Sequence, residues 1–516
     1  MSETTIPQIA PPQGWVSTTL KAVCEMYQPK TISKKEMVEG GKFPVFGANG
    51  IIGTYDQYNH EEPKVLVTCR GATCGTINVS KPYSWINGNA MVIDPNARLI
   101  DFSFLIYLLE GGVKLQDAIT GTAQPQITRN SLEPLILALP PLNEQKRIVA
   151  KIEELFSELD AGVSSLKQAR TQLGIYRQAL LKQAFEGKLT AQWRRDHPDQ
   201  LESPEKLLTR IQQERETRYQ TNLQTWQTAL EEWEANGKEG KKLTKPRSLQ
   251  DPQLFSTEEA NELPAIPNSW CFLRLDAIAQ IGTGMSVSRN RTFTDPTEVP
   301  YLRVANVQRG ELKLDEIKTM KIEKNRLQDL KICHNDLLFN EGGDIDKLGR
   351  GWVWKSQVEN CVTQNHVFRG NLYSKDLTVP EFVSHWANAF GQDFFFKGGK
   401  QTTNLASISK STLSSLPVPV PPGSEQIEIL RLLEEQFTAI EQNEREIDAS
   451  LQRAEALRQS ILKRAFSGQL VEQDPSDEPA TELLKRIQQE RSEREAQAPK
   501  KPKKKAAKRA RKKAKK

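Results

Sequence analysis

The stretch Asn143-Glu144-Gln145-Lys146-Arg147-Ile148-Val149-Ala150-Lys151-Ile152 opens a segment that runs to Leu189, and its reading decides the architecture. Apolar residues stand at Ile148, Ile152, Leu155, Leu159, Leu166, Ala169, Leu173, Tyr176 and Leu180, in steps of four and three broken only at Gly162. A stripe of that period over several heptads predicts a long coiled-coil helix. Pro140-Pro141 ends what precedes it, Asn143 is a suitable N-cap, and Gly187 suits a helix C-terminus.

The segment occurs twice. At a constant offset of 281, Glu144-Gln145 matches Glu425-Gln426, Phe156 matches Phe437, and Arg177-Gln178 matches Arg458-Gln459. The closing Ala184-Phe185, Gly187 and Leu189 match Ala465-Phe466, Gly468 and Leu470. The second seam (Ile429, Leu433, Ile440, Ile447, Ala454, Leu457, Ile461) carries Gln436, Asn443 and Ser450 at seam positions. Two such helices separated by a long globular segment predict an antiparallel pair. Working outward, Pro12-Gln13-Gly14-Trp15 matches Pro267-Asn268-Ser269-Trp270 at offset 255, and Leu207 to Arg215 is echoed by Leu483 to Arg491.

The expected organisation follows. A flexible lead (1–12) precedes a first globular domain (13–141) and the first long helix (142–189). A charged helical extension (190–264) leads to a second globular domain (265–422) and the second long helix (423–470). A short amphipathic helix (471–498) and a disordered Lys/Arg-rich tail (499–516) close the chain. The fold class is α/β (α+β): two mixed domains joined by two long helices, as an internal repeat with pseudo-twofold character. Val65 to Cys69 and Gly75 to Val79 predict a hairpin with Arg70-Gly71 at its tip, and Pro300 to Val307 predicts a strand.

The chain of 516 residues carries a net charge of +6, but residues 500–516 hold twelve Lys or Arg, so the rest is net −6. Any nucleic-acid contact in the body must therefore be local. Six scattered cysteines without a C-x-x-C pair fit a reduced cytosolic compartment. No run approaches a membrane span, and five histidines lack ligand spacing. Neither a phosphate-binding G-x-x-x-x-G-K-[ST] loop nor the Asn/Asp-Pro-Pro-aromatic loop of amino-methyltransferases is present, which points to binding rather than catalysis. Basic and amide side chains on glycine-flanked tips suit phosphates and base edges. The candidates for DNA contact are Asn49 and Arg70 in the first half, and Arg303, Asn306, Lys347, Arg350 and Gln401 in the second.

The two PP-x-x-EQ helices, the duplicated halves and the P-x-x-W openings resemble the specificity subunit of type I restriction–modification enzymes. The resemblance covers roughly residues 12–189 and 265–470. It implies a non-catalytic subunit in which each domain reads half of a split double-stranded DNA target and an antiparallel coil spaces them. It implies two modification (methyltransferase) subunits carrying S-adenosylmethionine, two restriction (motor–nuclease) subunits, no cofactor in this chain and no membrane. Ala184 to Leu189 and its copy would lie at partner-docking ends of the coil. The alternative is a coiled-coil scaffold that does not bind DNA.

Overall fold

The computed structural model describes residues 11–121, 124–238, 244–246, 255–287, 292–343, 347–374, 376–398, 400–401 and 406–497. The predicted tail lies outside them. The chain divides into two compact units, one of residues 1–168 with 447–516 and the other of residues 169–446. The long helices span Leu142–Phe185 and Gly423–Phe466, so each contributes residues to both units.

Each unit is built on the same sheets. In the first, Val16–Thr19 pairs antiparallel with Ile136–Leu139, returning the chain to the start of the long helix. A four-stranded antiparallel sheet runs in the order Cys24–Tyr27, Ala90–Pro95, Val65–Thr68, Ile77–Val79. A second sheet sets Phe43–Gly47 between antiparallel Gly50–Tyr55 and parallel Trp85–Ile86. The other unit repeats this plan. Cys271–Arg274 pairs with Pro417–Val420, and the four-stranded order is Ala279–Thr283, Val367–Leu372, Leu337–Asn340, Gly351–Val353. Pro296–Leu302 lies between antiparallel Lys318–Glu323 and parallel Val362–Thr363. The inner strands Val65–Thr68 and Leu337–Asn340 are buried at every residue, which explains their unbroken apolar runs.

Within each unit the two helix segments run antiparallel. The residues that matched across the repeat turn out to touch. Arg458 stacks on Phe156 at 4.1 Å in the first unit, and Arg177 stacks on Phe437 at 5.1 Å in the second. Arg458 also pairs with Asp160, and Arg177 with Glu444 at 3.5 Å. The expected seam positions Tyr176 and Leu457 are instead 47% and 50% exposed. A straight helix drifts about 20° per heptad, so four heptads after Ile148 the next residue, Arg177, has turned inward.

The Glu-Gln pair that opens each helix is a buried clamp. Trp15 Nε1 donates to Glu144 Oε1 at 2.9 Å, and Trp270 Nε1 donates to Glu425 Oε2 at 2.9 Å. Gln145 Nε2 donates to the carbonyls of Leu99 and Pro140, while Oε1 accepts from the Asp101 amide. Gln426 does the same with Leu377, Pro421 and the Val379 amide. Burial pushes the Glu144 carboxyl up from its ordinary value, opposed by the Trp15 hydrogen bond and Arg147.

Two expectations are corrected. The helices stop at Phe185 and Phe466, four residues early. Gly187 and Gly468 adopt φ +68° and +71°, and the amides of Lys188 and Gln469 reach back to the carbonyls of Gln183 and Arg464. The first helix begins at Leu142, as its expected bounds have it, so Asn143 lies within the first turn and does not cap it. Ala184, Phe185 and Ala465 are fully buried and are core residues. Ala184 and Phe185 complete the core of the second unit, while Leu462 and Ala465 complete that of the first. The opening prolines cover the closing glycines. A Cβ on Gly468 would meet Pro12 Cγ at 2.5 Å, and one on Gly187 would meet Pro267 Cγ at 2.3 Å. The repeated short helices (within Pro204–Ala235 and Ala480–Gln497) pack on these same cores through Leu207 and Ile211, and through Leu483 and Leu484.

Candidate nucleic-acid interface

In the first unit three loops meet beyond one edge of the sheets. The turn Ala48-Asn49 joins Phe43–Gly47 to Gly50–Tyr55, and Thr68, the last residue of the buried inner strand, anchors it by donating its hydroxyl to the Ala48 carbonyl at 2.5 Å. Asn78 donates to the same carbonyl at 3.2 Å. Asn49 is exposed, and its amide donates to the Thr73 hydroxyl at 2.7 Å, tying the turn to the loop that carries Arg70. Arg70 is exposed and forms a bridge with Gln126, while the Gly71 amide donates to the Pro125 carbonyl at 3.3 Å. The structure thus brings Asn49 and Arg70 onto one tip. It adds Thr73 and Gln126, which no local pattern in the sequence marks.

The second unit builds its tip on the same strand ends with other side chains. Asn340 closes the inner strand as Thr68 does. It is fully buried, and its amide donates to the carbonyls of Val304 at 3.3 Å and Val307 at 2.9 Å. The expected strand over Pro300 to Val307 ends at Leu302, because the Asn306 side chain accepts from the Arg303 amide at 3.0 Å and closes a turn. Asn306 is only 3% exposed and also donates to the carbonyls of Lys313 and Glu316. Its amide is therefore turned into the protein and shapes the loop. Arg303 reaches Glu316 at 3.3 Å, so part of its charge is balanced within the same loop.

Lys347 and Arg350 lie on the return from the inner strand, where the Gly349 amide donates to the Asn340 carbonyl at 3.1 Å. Gly349 has φ +61°, and a Cβ there would overlap the Phe395 ring, so only glycine fits. Gln401 lies on the short strand Lys400–Gln401, which pairs with Ala406–Ser407; that strand in turn pairs with Gly342–Gly343. Lys347 and Arg350 therefore follow the end of the inner strand, Gln401 lies on the small sheet that Gly342–Gly343 joins just beyond it, and Arg303 and Asn306 lie on the adjoining loop. Nearby, the exposed His366 ring meets Glu341 at 2.6 Å.

Among the described residues no group of three His, Cys, Asp or Glu side chains is placed to hold a metal ion. No helix among them is long and apolar enough to cross a membrane. A repeated scaffold presenting two unlike polar tips, with helices that open in buried Glu-Gln, has a known counterpart. The sequence model of the Type I restriction modification DNA specificity domain matches residues 12–167 and 267–453.

The chain belongs to this family.

Its relatives include the type I restriction enzyme EcoDI specificity subunit of Escherichia coli, 24% identical over 88% of this chain and 90% of the relative. The EcoKI specificity subunit of Escherichia coli K12 is 23% identical over 93% of this chain and 96% of the relative. Among solved structures, a chain described in work on complex assembly and conformational transition of the type I R-M system overlaps 89% of this chain and all of its own length. Its TM-score is 0.57 at 15% identity, a likeness of fold. The chain is thus a type I specificity subunit by family, and DNA target recognition is the role of that family. The matched regions cover both recognition domains and most of both long helices.

Proposed function

We propose that each recognition domain reads half of an asymmetric, bipartite duplex target, and that the paired long helices set the spacer between the halves. The observation that carries this reading is the pairing of two equivalent strand ends, Thr68 and Asn340, each anchoring a tip of different composition. Asn49 and Arg70 contact one half-site. Lys347, Arg350 and Gln401 contact the other, with Arg303 at the phosphate edge and Asn306 holding the loop in shape. An arginine suits guanine or phosphate, and an amide suits adenine.

On this reading the chain performs no catalysis. It directs adenine methylation by two modification subunits that carry S-adenosylmethionine, and cleavage by two restriction subunits, in the cytoplasm. Its binding surface supplies specificity, and the chemistry stays with the partners. The family relationship and the absence of nucleotide-binding and amino-methyltransferase motifs support this assignment.

The test is to map N6-methyladenine across a host genome carrying the chain with its methylating partner, then to repeat after deleting only this chain. Loss of methylation at one split, asymmetric motif is expected, and persistence of the full pattern would refute the assignment. Inserting seven residues in register into both long helices is expected to change the spacer and leave both half-sites unaltered.

A further inference from the structure

Among the described residues the strand Gly50–Tyr55 pairs only with the strand Phe43–Gly47, so it is a sheet edge. It begins one residue after Asn49 and presents two consecutive isoleucines, Ile51 at 52% exposure and Ile52 at 47%. Exposed apolar side chains on an open edge are a liability that folded proteins usually suppress with charge or proline. The local fold does not need them there. The equivalent hairpin of the second unit turns Val304, Leu312 and Leu314 inward onto a separate small core.

Two features hold the isoleucines in place. The register shifts between Val45 and Phe46, a bulge that lets adjacent residues of the edge strand both face outward. Gly47 supplies the seat for Ile52, since a Cβ there would stand 2.7 Å from Ile52 Cγ2. The turn behind them is fixed by Thr68, Asn78 and Thr73. The pair is therefore presented on the outer strand of a three-stranded sheet, beside a hairpin tip that beyond Phe46 is two-stranded, and a two-stranded tip fits the major groove.

We propose that Ile51 and Ile52 are specificity-determining residues that read the 5-methyl groups of thymine in the half-site of the first domain. The assignment rests on the reading of the tip as a DNA contact. Within that reading it selects A·T pairs: the only apolar feature a base edge offers in the major groove is the thymine methyl. Asn49, next to the pair, supplies the amide that suits the partner adenine. Its Nδ2 has one N–H in use with Thr73 and a second for a base, since a side-chain amide carries two donors.

The experiment uses the complex of this chain with its methylating partner and a duplex bearing the mapped target, with each thymine replaced in turn by deoxyuridine, which removes only the methyl. Burying one methyl is worth about a fourfold change in affinity. The expected result is about fourfold weaker binding at one or two positions, all in one half-site. The double variant Ile51→Ala, Ile52→Ala should bind the thymine and deoxyuridine duplexes equally. Uniform affinity across all deoxyuridine duplexes, or discrimination retained by the double variant, overturns the inference while leaving the DNA reading intact. The inference also fails if the discrimination falls in the half-site read by the second domain. Complete lack of sequence-specific binding overturns the reading of the tip itself, an outcome separable from the others because it appears with the unmodified duplex.

Discussion

The two units agree where they are buried and part where they are exposed. Trp15 with Glu144 and Trp270 with Glu425 are the same bond made twice, and Gly468 under Pro12 repeats Gly187 under Pro267. At the tips the comparison fails. Thr68 and Asn340 share a task, but beyond them the first unit carries Asn49, Arg70 and Ile51 where the second carries the 303–317 loop, Lys347 and Arg350. The contrast separates two kinds of constraint. A buried polar clamp tolerates little change, because an unpaired group costs more than the bond was worth. A tip facing solvent or DNA is free to change with its target.

The clamp gives the largest expected effect. Glu425 is fully buried and accepts from Trp270, Thr190 and Arg194. Glu425→Ala takes the carboxylate from the Arg194 guanidinium, which keeps only neutral partners in Gly187 and Thr190, and should cost about 3–5 kcal/mol. Glu144→Ala, whose principal bond is to Trp15, should cost about 1–3 kcal/mol. Urea unfolding of the two variants checks the order; equal losses would mean that the clamps are energetically identical despite their different surroundings.

Acid sharpens the comparison next. His385 of the second unit is held down to about 4 by burial against Trp352 and Phe437, with Glu381 opposing. A histidine with a depressed folded value contributes stability above its ordinary 6.5, and that stability is lost as pH falls from 6.5 toward 4. The loss by pH 4 should be about 3 kcal/mol. His385→Phe should flatten the dependence of the midpoint on pH in thermal melts across that window. Glycine at the helix ends comes third: Gly187→Ala and Gly468→Ala combine a left-handed backbone with a clash against proline, and each should cost about 1–2 kcal/mol by denaturant titration. Smallest is the coil. Arg458→Ala should cost about 0.5–1 kcal/mol, and a double-mutant cycle with Phe156→Leu should recover most of it as coupling.

Much of the fold was legible. The 4-3 stripe fixed both long helices to within four residues, and the offsets fixed the repeat. What the helices do at their ends was not legible, because Glu144 meets Trp15 across 129 residues and no local pattern announces a buried carboxylate. The seam drifted as helix geometry requires, so Tyr176 and Leu457 left it. The run Pro300 to Val307 reads as strand by composition, but one side chain, Asn306, stops it by bonding to the Arg303 backbone. The tips were legible as places and less so as contacts. Glycine-flanked polar loops marked them, while Gln126 joins Arg70 only through the fold.

The core of the first unit has a consequence for the order of synthesis. Its strands leave the ribosome early, yet Leu462, Ala465, Leu483 and Leu484 are made at the far end of the chain. Between residue 168 and residue 466 nearly three hundred residues must be added, about 15–60 s at ordinary rates of translation. The second unit, continuous from residue 169 to 446, can finish within that interval. The domain first in sequence is therefore last to close, and during its wait it presents the apolar face that Phe466 later covers against Phe104. Slowing translation of the final seventy codons would lengthen that exposure and should tax the first recognition domain alone.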